Sequence, residues 1–173
     1  MTIKERIGWM LLSWRKSEAA NSRVSLPRVT ENARKVCVVL PANFDDFDIV
    51  RTILPDILAR LMHAQTTIFV RENFRSWLVI NEFCVVKSFD PVHATRFGMP
   101  DEQTLKSVKS AEFDLLIDLS VSPELYVAGL VKEARAQTKI ALAHPATSNL
   151  YNLLVESTSN DNGRRIMALL NYL

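Results

Sequence analysis

Glycine is scarce in this chain, with four in 173 residues, and proline reaches only seven. That excludes collagen-like and low-complexity disordered chains. It also weighs on nucleotide chemistry. The loop after the first β-like run reads PANFDDFD, residues 41–48, and holds no glycine. Neither the dinucleotide fingerprint nor the phosphate-cradling P-loop can be written there. The two cysteines, Cys37 and Cys84, form no CxxC pair and have no histidine at metal spacing. They exclude a zinc module and read as thiols buried in strands, at home in a reducing, cytoplasmic compartment. No stretch approaches the ~18 apolar residues of a membrane span. After Lys4–Arg6 the run GWMLL is short and charge returns at Arg15, so no signal peptide is expected.

Excess charge is small as well, at +2, but unevenly placed. Residues 1–35 hold eight Lys or Arg against Glu5, Glu18 and Glu31, a balance of +5 that leaves −3 for the rest. A neutral-to-acidic body with a basic arm does not fit a nucleic-acid binder, which needs a strongly basic face. Within the arm, Ile3, Ile7, Met10, Leu11 and Trp14 form one stripe at helical spacing, with Trp9 and Leu12 off it. The stripe is expected to dock on the body, on a protein partner or on a second copy as a homodimer. Its Trp and Lys/Arg content also admits peripheral contact with a membrane surface. Residues 17–34 are polar and aperiodic and read as a linker. The division is an arm over 1–34 and one α/β domain over 35–173.

The body alternates strand and helix patterns. Strands are expected at Lys35–Leu40, Thr66–Val70, Cys84–Ser88, Phe113–Leu119, Thr138–Leu142 and Leu150–Val155. Helices are expected at Phe47–Ala64, Phe74–Ile80, Asp101–Lys109, from Ser122-Pro123-Glu124 to about Ala136 with Ser122 as N-cap, and from Asp161 or Asn162 to Leu173. Pro55 should kink the first of these or move its start toward Thr52. The β-branched run KVCVVL marks a strand covered on both faces. The fold class is therefore α/β: a Rossmann-like, mostly parallel sheet of five to six strands with helices on both faces.

In such sheets ligands sit beyond the carboxyl ends of the strands. The first loop places Asp45, Asp46 and Asp48 at a helix N-terminus, where carboxylates suit the dipole and would repel a phosphate. That argues against NAD, FAD or ATP, and no cofactor is expected. Asp118, at the end of FDLLIDLS, is the acid best placed for chemistry. Asp46, Asp48 and Asp118 are the catalytic candidates; Asn43, Asp45, Ser120, Ser122 and His144 are the cleft candidates. A receiver-type Mg²⁺ site would pair these acids with a lysine at a strand end, whereas Lys139 begins its strand, so no metal is expected. His63, His93 and His144 are far apart with no HxxxH, and no G-x-S-x-G elbow exists for a hydrolase triad. If strands 35–40 and 113–119 are neighbours, Asp45, Asp46 and Asp118 should share a space. Amides would then offset their charge, through capping by Asp46 or Asp48 and through the loop after Asp118.

Two resemblances add to this reading. FDLLIDLS followed by VAGLVKEARAQTKIAL resembles the strand-helix-strand in the N-terminal lobe of heptosyltransferase-like (family 9) glycosyltransferases. Ser120-Val121 stands where that family has Gln-Gly, Asp46 and Asp48 compete for the place of its Gly-Asp, and the second, nucleotide-sugar lobe is missing. This resemblance implies a sugar-acceptor-binding domain with Asp46 or Asp48 as base and Asp118 in the cleft. The whole body, through KVCVVL, FGMPDEQ, FDLLIDLS, YNLLVE and RRIMALLNYL, is more similar to a family of short bacterial proteins of unknown function. That second resemblance implies a fold and no activity. Together these features favour a non-catalytic α/β module that binds a protein partner or itself, with the sugar-acceptor domain as alternative.

Overall fold

A computed structural model describes residues 2–13 and 30–173. Among these residues six strands form one sheet in the order β3-β2-β1-β4-β5-β6, and all five pairings are parallel. The strands are β1 Lys35–Val39, β2 Gln65–Arg71, β3 Cys84–Phe89, β4 Glu112–Asp118, β5 Arg135–Leu142 and β6 Leu153–Val155. Order reverses between β1 and β4, whose register sets Val39 beside Asp118. That pair of strand ends is the topological switch point. The fold expected from the alternating pattern is the one observed.

Helices cover both faces, which is why β1 and β4 are apolar on both. On one face α2 (Phe44–Arg60) and α5 (Asn162–Leu170) bury Phe47, Val50, Leu54, Ile57, Ile166 and Leu169 against Val36, Val38, Leu115 and Ile117. On the other, α1 (Ile3–Ser13), α3 (Glu102–Lys109) and α4 (Leu125–Glu133) pack with Cys37, Val39, Phe69 and Leu116. Of the two candidates for the α5 cap it is Asp161 that serves, its Oδ1 accepting from the Arg164 amide at 2.7 Å, and α3 is capped by Asp101, whose Oδ1 accepts from the Thr104 amide at 3.0 Å.

Several expectations are corrected. Helix α2 starts at Phe44 and runs through Pro55. Buried side chains on both sides of the proline offset its cost of about 3 kcal/mol. The segment at Phe74–Ile80 is a 3₁₀ helix, Glu72–Trp77. Ser122 does not cap α4; Glu124, in extended conformation, precedes Leu125. Pro123 disfavours helical geometry at Ser122, and the Glu124 carboxylate is drawn to amides across the crevice. Strand β5 begins at Arg135, so Lys139 lies mid-strand and buried, its Nζ donating to the Val131 carbonyl near the end of α4 at 2.7 Å. Cys37 is buried as expected, whereas Cys84 opens an edge strand and is half-buried, its thiol donating to Asn81 Oδ1 at 3.2 Å.

The arm helix α1 is also turned. The face that meets the body is Gly8 and Leu12, with Trp9 half-buried, while Ile3, Met10 and Leu11 stay exposed. Trp14 falls outside the described residues, as do 15–29, which include 17–29 of the expected linker. Gly8 decides this orientation, since a Cβ there would lie 2.4 Å from the Phe97 carbonyl and 2.5 Å from Leu125 Cδ2. Lys132 of α4 then donates to the Leu12 carbonyl at 2.5 Å, satisfying the end of α1. Residues 30–34 are part of the body: Thr30 and Ala33 are buried, and the Arg34 and Lys35 amides donate to Asp114 Oδ2 at 2.8 and 2.9 Å.

Candidate functional site

The crevice at the switch point is built from three pieces: the N-terminus of α2, the loop 119–124 after β4, and the segment 143–151 after β5. Asn43 caps α2, its Oδ1 accepting from the Asp46 amide at 2.8 Å. The amides of Ala42 and Asn43 point outward from the same turn, where an anionic ligand would bind in an open site. Glu124 Oε1 takes them instead, at 2.9 and 3.3 Å, together with Asn43 Nδ2 at 3.0 Å. The protein supplies its own anion.

Asp46 is buried and likewise engaged. Its Oδ2 accepts from Asn43 Nδ2 at 3.0 Å and from the Ser122 amide at 3.1 Å, and its Oδ1 from Asn162 Nδ2 at 3.4 Å. Asp118 is buried between the Ser120 amide, 2.9 Å from Oδ1, and the Tyr151 hydroxyl, which donates to Oδ2. Burial pushes the Asp118 carboxyl above the usual range, against the two donors that favour its charge. Burial raises Glu124 in the same way, against the amides of Ala42 and Asn43. Tyr151 is pushed well above its ordinary value by burial and then by the adjacent carboxylate, so it stays a donor. The Ser120 hydroxyl is buried beside Asp118 with no well-formed hydrogen bond among the described residues.

Asp46, Asp118, Asn43, Ser120 and His144 therefore gather at the strand ends, and Ser122 contributes its amide while its side chain is exposed. Asp45 is exposed and does not face Asp118's enclosure. Asp48 lies one helical turn away and pairs with Arg51 at 2.7 Å on the surface. The capping role expected of Asp46 or Asp48 belongs to Asn43. The loop amide expected at Asp118 is present. His144 Nδ1 accepts from the Ala146 amide at 3.1 Å, a turn-stabilising role. Between Asp118, Ser120, Glu124, His144 and Tyr151 the free space is about 10 Å³, room for about one water.

Sequence reading missed Glu124 and Tyr151. Glu124 reads as an ordinary first-turn acid, and Tyr151 follows a polar stretch 33 residues beyond its partner. Neither carries a local signal of where it will land. A second, open groove of about 450 Å³ lies beyond β2 and β3, bordered by Glu72, Asp90, His93, Asp101, Gln103 and Thr104. Among the described residues, those bordering acids face no lysine or arginine in the groove.

The chain belongs to DUF6913, a family of unknown function. The family model matches residues 11–173, the body and the end of the arm helix. A search of curated proteins finds no match. Among solved structures the fold is similar to the heptosyltransferase WaaC of E. coli, determined with ADP-2-deoxy-2-fluoro heptose, at 12% identity and a TM-score of 0.56. The match covers 80% of this chain and 48% of that one, so the DUF6913 chain spans about half the length of the enzyme it resembles. At this identity the likeness is one of fold.

Proposed function

We propose that this DUF6913 chain is a non-catalytic α/β module that works by binding another protein chain. One observation carries the reading: the crevice where a doubly wound sheet holds its ligand is filled by the chain's own groups. Glu124 occupies the outward amides of the α2 N-terminus, Asp46 and Asp118 are each satisfied within the chain, and about 10 Å³ remains. A nucleotide phosphate would have to displace a carboxylate from the amides it needs, and would meet a second carboxylate nearby. The exposed Ile3, Met10 and Leu11 of α1 supply an apolar face for a partner while the opposite face holds the arm to α4.

The test is calorimetric titration of the full chain with ADP-heptose and other nucleotide-sugars. No saturable heat is expected. Saturable binding that Glu124→Gln strengthens or Asp118→Asn abolishes would overturn the reading. The second reading, a sugar-acceptor-binding domain of glycosyltransferase type, is favoured by the shared lobe fold and by the 450 Å³ groove. Titration with heptose-type acceptors separates the two, since only the second reading expects uptake there.

A further inference from the structure

We propose that the outer edge of β3 is a self-association surface, on which a second copy of the chain pairs its own β3 antiparallel. The proposal goes beyond the closed crevice by naming a surface and a partner, and its failure would leave the crevice reading intact.

Among the described residues strand β3 ends the sheet and pairs with β2 alone, so its outward amides and carbonyls have no strand neighbour there. Proteins protect such edges with short strands, outward charge or a covering element. The opposite edge, β6, is protected by length, being three residues long. Strand β3 has six residues, and Lys87 is its single charge. That lysine is turned onto the sheet face, where Nζ donates to the Ser107 carbonyl at 3.0 Å and lies 5.7 Å from the Phe69 ring centre. The edge is thus left without an outward charge.

Apolar surface gathers beside it. Of the thirteen large hydrophobic residues exposed among those described, six fall here: Phe44, Trp77, Val79, Ile80, Phe83 and Val85. Val79 and Phe83 are 79% and 64% exposed. Phe44 continues the patch from α2, meeting Trp77 edge-on with ring centres 5.6 Å apart. Val85 shares the sheet face of Lys87 and Phe89 while Phe44 and Trp77 lie on the other, so the six flank the edge on both sides and leave on the order of 500 Å² of side chain in water, against roughly 800 Å² per partner in a standard interface.

The geometry selects a second copy as occupant. An edge strand is its own complement under a two-fold axis, and such a pair closes without growing into a fibre. An antiparallel pair also sets the two exposed Glu82 side chains, at the strand entrance, at opposite ends of the interface. A parallel arrangement would bring these like charges together.

Sedimentation of the full chain over a range of concentrations tests this. The wild type should be a dimer that dissociates on dilution, with β3 amides protected from hydrogen exchange only when concentrated. Phe83→Lys/Val85→Lys should be monomeric with an unchanged far-UV spectrum, and Val85→Lys alone should weaken the dimer at least tenfold. A wild type that is monomeric throughout, β3 protection independent of concentration, or a dimer indifferent to both lysine variants would overturn the proposal. So would a dimer abolished by Ile3→Glu/Met10→Glu/Leu11→Glu, which would place the interface on α1.

Discussion

Replacing Tyr151 with phenylalanine removes one oxygen and leaves the ring that fills the end of β4 and β5. The lost group donates to the buried carboxylate of Asp118. A hydrogen bond to a charged group contributes about 1.5–3 kcal/mol, and the Ser120 amide, 2.9 Å from Oδ1, still donates to Asp118 in the variant. For a domain of this size each kcal/mol moves the melting temperature by roughly 2–4 °C, so a fall of about 3–12 °C is expected at neutral pH. The cost must depend on pH. Burial already raises the Asp118 carboxyl, and loss of a donor to its charged form raises it further. An acid whose folded pKa exceeds its unfolded one binds more protons when folded, so the stability it gives is fully present below the unfolded value and is lost as pH rises through the folded value. Once Asp118 is protonated the bond is between neutral groups, worth about 0.5–1.5 kcal/mol. Urea unfolding of wild type, Tyr151→Phe, Asp118→Asn and the double variant, at acid and neutral pH, measures this directly. A cost under about 0.5 kcal/mol, a cost equal at both pH values, or no coupling between the two sites would refute the account of the closed crevice.

Three further outcomes follow from the same structure. Asp118 and Glu124 are both raised by burial, so the wild type should lose stability as pH climbs through their folded pKa values, and Asp118→Asn/Glu124→Gln should flatten that slope in a pH series of melting curves. Gly129→Ala gains ~1 kcal/mol of helix propensity, yet its new Cβ would lie 2.5 Å from Pro100 Cδ at an overpacking cost of about 1–3 kcal/mol, so the variant should show no net gain and a loss of up to about 2 kcal/mol in denaturant unfolding. Gly8→Val should lift α1 off α4, because its Cβ has no room against the Phe97 carbonyl; hydrogen exchange at residues 3–13 should become fast while the sheet stays protected.

What the sequence determined by itself was local. Apolar runs of β-branched residues, separated by amphipathic segments, dictate strands and helices that must alternate, and a strand buried on both faces forces helices onto both faces. The start of the last helix was legible at Asp161 or Asn162 because a cap acts within three residues, as the Asp161 Oδ1 bond to the Arg164 amide shows. The tertiary structure decided everything that depends on a distant partner. It turned α1 so that Gly8 and Leu12, not the Ile3–Met10 stripe, face the body, because backbone approach needs a residue without a side chain and hydrophobic periodicity does not weigh that. It gave the α2 amides to Glu124, 82 positions from Ala42, and the Asp118 carboxylate to Tyr151, 33 positions away. In the folded protein Asp46 and Asp118 are buried and hydrogen-bonded in one polar crevice, while Asp45 and Asp48 face water, because buried charge persists only where other parts of the fold bring it donors.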